Sequence, residues 1–146
     1  MTKQEVLPFE TTLYVKEHCL CLATQRAARA LARRFDTAFA PFNLTNGQFS
    51  LLMALNRPEP PLMRDIASLL AMDRSTLTAM LKPLERRKLA EVRVDESDRR
   101  GRRVLITRAG RILLTKAFPV WKRTLCEIEH RLTDSRGLRE TLWAVP

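Results

Sequence analysis

A chain of 146 residues is long enough for one domain with a proper core and too short for two comfortable ones. Its composition, 45% hydrophobic and 29% charged, is ordinary for a soluble globular protein, and no stretch approaches the run of about 20 apolar residues that a membrane span needs. The formal charge of +10 attracts nucleic acid or acidic membranes without choosing between them, but it is concentrated: from Asp73 to Arg111 the chain holds 12 basic and 6 acidic residues.

The stretch Met1-Thr2-Lys3-Gln4-Glu5 leads into no apolar signal core, which predicts a cytoplasmic protein. From Thr12 to Phe39 the sequence predicts one long helix: Leu20, Thr24, Ala27, Leu31, Phe35 and Ala38 recur at steps of three and four, with Arg26, Arg29, Arg33 and Arg34 on other faces. Pro41 closes it. Thr45-Asn46-Gly47-Gln48 is a capping-box pattern opening a helix with Phe49, Leu51, Leu52 and Leu55, which stops before Pro58. A short helix from Leu62 to Leu70 buries Ile66, Ala67 and Leu70. After the tight turn Ala71-Met72, Asp73 caps a helix that turns Leu77, Leu81 and Leu84 inward, and the pair makes a helix-turn-helix. Glu91 to Val94 alternates with period two and Val104-Leu105-Ile106 is β-prone; the polar, arginine-rich stretch between them completes a hairpin, the wing. Thr107 starts a last long helix to about Leu132, with Leu114, Phe118, Trp121, Leu125, Ile128 and Leu132 forming a heptad seam that Pro119 should bend. A short terminal helix carries Leu138, Leu142 and Trp143. The fold class is therefore mainly α with a small β-hairpin wing. Long apolar helices at both ends point to a dimerisation layer, with an intramolecular core as the alternative.

Two groups of residues are placed to meet DNA. With Leu77 and Leu81 inward, Arg74, Ser75, Thr76, Thr78 and Lys82 point outward, and the N-terminal end of such a helix is the end presented to base edges in a major groove. The wing tip holds Arg99, Arg100, Arg102 and Arg103, suited to a narrow minor groove and its flanking phosphates, with Asp98 close enough to orient the Arg100 guanidinium. A solvated charged face is the bland alternative for each group. Four arginines with one acidic neighbour would be a repulsive way to keep a loop soluble.

The run from Asp73 to Thr78, Leu84-Glu85-Arg86-Arg87-Lys88-Leu89, Asp98-Arg99-Arg100-Gly101 and Ile106-Thr107-Arg108-Ala109-Gly110 together resemble the MarR family, and the likeness covers almost the whole chain. The resemblance implies a single winged helix-turn-helix domain over 1–146. Its DNA-binding lobe would span 45–106, and 12–39 and 107–146 would be dimerisation helices. It further implies a homodimeric repressor or activator on a pseudo-palindromic double-stranded operator, released by a small molecule, often an aromatic acid, bound between the two layers. Asp98 and Arg100 match the family's wing pair. Two departures stand out: Lys88 replaces a frequent Gly and must accept left-handed geometry, and Pro83 should kink the recognition helix.

Cys19, Cys21 and Cys126 predict buried, inert thiols rather than a disulfide framework. Some hydroperoxide-sensing members of the family place a reactive cysteine early in the first helix and resolve it from the partner's last helix, a layout that Cys21 and Cys126 match. Those sensors surround the thiol with tyrosines, whereas Tyr14 is the only tyrosine here. His18 with Cys21 and Cys126 with His130 each share a helix face, but nothing in the sequence joins them into a metal site, and neither metal nor cofactor is expected. The chain lacks a Gly-rich phosphate loop, a Ser-His-Asp set and a carboxylate pair on an apolar face, so an enzyme is not expected. A basic protein-interaction adaptor without specific DNA binding would leave the arginine wing unexplained.

Overall fold

In chain order the computed structural model, which describes residues 6–145, gives seven helices and a hairpin; the reading of Met1 to Glu5 lies outside the described residues. The single helix expected from Thr12 to Phe39 is two, α1 (Phe9–His18) and α2 (Leu20–Phe39), parted at Cys19, whose ψ of 105° leaves the helical region. The break strands little, because the Cys19 Sγ takes the Leu22 N–H at 3.4 Å and caps α2. No residue of α1 is buried, so no packing holds the two pieces in line. Exposure continues along α2 as far as Leu31, and of the expected apolar stripe only Phe35 is buried, with Phe39 below it. Pro41 then sits in a single 3-10 turn, Ala40–Phe42.

Below this arm lies the core. α3 (Asn46–Leu55) opens with the expected capping box: the Thr45 hydroxyl accepts from Gln48 N at 3.1 Å and the Gln48 side chain accepts from Thr45 N at 3.1 Å. It packs against α2, against α4 (Met63–Leu69) and against α6 (Arg108–Glu129). α5 (Arg74–Arg86) turns Leu77, Leu81 and Leu84 into that core, each at most 1% exposed, and its helix runs on through Pro83. Strands β1 (Ala90–Val94) and β2 (Arg102–Ile106) pair antiparallel from Ala90↔Ile106 to Val94↔Arg102. The connector before α4 adds a partial third strand, with a bridge between Leu62 and Arg103 and the Val104 N–H donated to Pro61 O at 3.0 Å.

The seam on α6 is used in part within the chain itself. Leu114 is buried, and Trp121, Leu125 and Ile128 pack against this chain's own core. Only Phe118 and Leu132 are left largely exposed. An aromatic ladder joins the layers: Phe35 stacks on Phe39, Phe39 on Phe49 at 4.6 Å, Phe49 on Trp121 and Trp121 on Phe118. The terminal helix α7 (Ser135–Trp143) buries no residue, and Leu138, Leu142 and Trp143 stay open to solvent. No helix among the described residues is long and apolar enough to cross a membrane.

Candidate nucleic-acid interface

The turn between α4 and α5 is made by Ala71 in the left-handed region, φ 50°, with the Met72 N–H donated to Ala67 O at 2.9 Å. It delivers Asp73 as N-cap of α5. The Asp73 carboxylate accepts the Thr76 N–H at 2.7 Å, the Ser75 hydroxyl at 2.6 Å and the Thr76 hydroxyl at 2.9 Å, and these bonds, Ser75 first, hold its pKa down at about 2. The Thr78 hydroxyl donates to Arg74 O at 2.8 Å. All three hydroxyls are exposed, yet their protons are spent on the helix, which leaves their lone pairs as acceptors for a ligand. Poor helix formers on an open face thus have a local structural reason. Arg74 and Lys82 are exposed and their side chains make no hydrogen bond or ion pair among the described residues.

The wing tip separates its arginines into two kinds. Arg99 and Arg100 are exposed with free guanidinium groups among the described residues. Arg102 donates to its own loop, to Arg99 O at 3.0 Å and Gly101 O at 3.1 Å. Arg103 is half-buried: its Nε donates to Asp95 at 2.5 Å and its Nη1 to Pro60 O at 2.7 Å. Asp98 does not pair with the Arg100 guanidinium as expected. Its carboxylate accepts the backbone N–H of Arg100 at 2.9 Å, so it shapes the tip through the main chain. The residue that sequence reasoning missed is Asp95, 5% exposed at the start of the loop and bonded to Ser97, Asp98 and Arg103. Those bonds, Ser97 first and then Arg103, hold its carboxyl below the usual range. Its only trace in the sequence is an acid at the end of β1, just past the residues paired with the arginines of β2.

Arg74 and Arg100 both line one groove of about 620 Å³ between the start of α5 and the wing, with Arg64, Arg102 and Arg103 contributing further cations and Asp95 and Asp98 two carboxylates. The MarR family model matches residues 42–101, which include all the groove's lining residues except Arg102 and Arg103. A crystal structure of the M. tuberculosis transcriptional regulator MosR in complex with DNA is 34% identical and covers 86% of this chain and 91% of that one, with a TM-score of 0.79. This chain belongs to the MarR family. The organic hydroperoxide resistance transcriptional regulator of Bacillus subtilis is 27% identical over 129 residues, 88% of each chain. The repressor CouR, solved on a 23-mer DNA duplex, is 28% identical, covers 96% of this chain and 95% of that one, and has a TM-score of 0.74.

Two MarR-type features of this chain have physical grounds in the structure. Lys88 adopts φ 56°, the left-handed geometry expected where the family often has glycine. Gly110 lies so close to the wing that an added Cβ would meet Leu89 O at 2.2 Å. A second, apolar cavity of about 380 Å³ opens between α3 and α6; Phe49, Met53, Leu69, Phe118 and Trp121 line it and Arg57 stands among them. The cysteines depart from expectation in being open: Cys21 and Cys126 are exposed, Cys19 is half-buried, and none is bridged. Cys126 Sγ lies 3.6 Å from His130 Nδ1, while His18 Nδ1 bonds Tyr14 O, and no group of three metal-ligating side chains occurs among the described residues.

Proposed function

We propose that this MarR-family protein is a cytoplasmic, homodimeric repressor that binds a pseudo-palindromic operator and leaves it when a small aromatic effector binds. The observation that carries the reading is the single groove lined by both Arg74 from α5 and Arg100 from the wing. An α5 N-terminus in the major groove brings Arg74 to base edges, with the acceptor faces of Ser75, Thr76 and Thr78 beside it and Lys82 toward the phosphates. Arg99 and Arg100 then reach the adjacent minor groove, and Arg102 the flanking backbone. The bare arm formed by α1 and the first half of α2, with Phe9, Leu13, Tyr14 and Leu20 exposed, and the open face of α7 support assembly of two copies. The apolar cavity beside Arg57 suits an aromatic ring carrying an acid group.

Fluorescence anisotropy on the protein's own upstream DNA tests this. Arg100→Ala is expected to weaken binding about tenfold at every sequence, and Arg74→Ala also to relax base preference. Affinity should fall steeply with salt. Salt-independent binding, or none, refutes DNA recognition and leaves an adaptor.

A thiol switch is a second reading, favoured by the open Cys126 thiol 3.6 Å from His130 and by the exposed Cys21. Loss of DNA binding on treatment with an organic hydroperoxide, restored by a thiol and absent in Cys21→Ser and Cys126→Ser, supports it; indifference to oxidant excludes it.

A further inference from the structure

Arg103 and Asp95 stand apart from the rest of the charged wing. Asp95 is nearly enclosed at the foot of the tip loop, and its two carboxylate oxygens are both used: Oδ1 takes Arg103 Nε at 2.5 Å, and Oδ2 takes the Ser97 hydroxyl at 2.7 Å and Asp98 N at 3.2 Å. Main-chain bonds close the same loop, Asp95 N to Gly101 O at 3.1 Å and Gly101 N to Asp98 O at 2.8 Å. The other end of the Arg103 guanidinium leaves the wing altogether and grips Pro60 O, in the rigid Pro58-Glu59-Pro60-Pro61 connector that leads into α4 and so to α5. One planar fork therefore spans the base of the tip and the frame of the helix-turn-helix, a geometry that a lysine ammonium cannot reproduce.

We infer that Arg103, held by Asp95 and Pro60 O, is a positioning residue: it touches no DNA itself and fixes the height of Arg99 and Arg100 relative to Arg74. The inference rests on the DNA-binding reading above. Its physical content is preorganisation. A tip already folded in the free protein orders no further backbone on binding, and a wing tied to the connector presents its arginines at one spacing from the recognition helix.

The sign of one substitution separates this role from a phosphate contact. Asp95→Asn removes a negative charge beside the DNA, so electrostatics alone predicts tighter binding. Positioning predicts the reverse, a loss of about tenfold, comparable with Arg100→Ala. It also predicts coupling: in the Asp95→Asn background Arg100→Ala should cost at most about twofold more, because a misplaced arginine has little left to lose. Arg103→Lys, which keeps the charge, should behave like Asp95→Asn, whereas a phosphate-contacting arginine would survive that change nearly intact. Anisotropy on the upstream DNA, with thermal melts run beside it so that each variant is compared as folded protein, reads all four variants. Should Asp95→Asn fail to fold, Arg103→Lys alone and combined with Arg100→Ala carries the same cycle. Equal or tighter binding by Asp95→Asn, full retention by Arg103→Lys, or additive losses would each overturn the inference. A wild-type protein that binds no DNA would instead overturn the reading beneath it.

Discussion

Gly110→Ala sets two effects of opposite sign against each other. Gly110 lies in the first turn of α6, where alanine is the better helix former by about 1 kcal/mol, so propensity alone predicts a more stable protein. The structure predicts the opposite. A methyl group there would stand 2.2 Å from Leu89 O and 2.8 Å from Ile106 Cγ1, the first of them main chain and unable to swing away. Leu89 O also accepts the Thr107 N–H at 3.0 Å, and Thr107 caps the helix by accepting Gly110 N at 3.0 Å while donating to Lys88 O at 2.7 Å. Relieving the clash means pulling α6 off the wing and weakening that junction. Overpacking costs about 1–3 kcal/mol and a lost hydrogen bond about 1 kcal/mol more. After the propensity gain a net loss of about 2 kcal/mol remains, a fall in melting temperature of about 4–8 °C for a chain of this size. Urea titration followed by circular dichroism measures it. A variant as stable as the parent, or more so, would refute the close packing of α6 on Leu89 and Ile106 at the foot of the wing.

Lys88→Gly should do the reverse, since its backbone at φ 56° is costly for any residue with a Cβ and its side chain is exposed. A gain of about 0.5–1 kcal/mol, seen as a rise of about 2 °C in the melt, is expected, and a loss would contradict the left-handed turn. Asp73 titrates at about 2 when folded against an ordinary value of 3.8, so its cap contributes stability that is complete above about pH 4 and is lost as pH falls toward 2. In urea midpoints over that interval the parent should therefore decline further than Asp73→Asn; parallel curves would remove the cap from the account. Leu81→Ala, at a site 1% exposed, should cost about 2–5 kcal/mol in the same titration while leaving the base preference of the protein that remains folded unchanged.

How much of this was legible in the sequence depended on whether the cause was local. The caps of α3, α5 and α6 were readable because Thr45, Asp73 and Thr107 act within three residues of themselves. The left-handed turn at Lys88 was also visible, as a departure from a motif. The break at Cys19 was not: residues on both sides favour helix, and periodicity does not report that α1 has no packing beneath it. The seam on α6 was seen as a stripe, but a stripe does not say which surface it meets, and Leu114, Trp121 and Ile128 meet their own chain. At the wing the cluster of arginines was plain, while the division of labour within it was hidden. Arg103 differs from Arg100 because the Asp95 carboxylate and a proline carbonyl 43 residues away in sequence both hold it, the carbonyl at 2.7 Å.

The bare helix α1 carries one more consequence. Ten residues are too few to hold a helix in water without support, since isolated helices shorter than about 12–15 residues are marginal. None of the side chains of α1 is buried in its own chain. On the two-copy assembly proposed above, the order of this segment and the covering of its exposed Phe9, Leu13 and Tyr14 are therefore one equilibrium rather than two. Dilution should melt it before anything else, and a protease would find its first cut there.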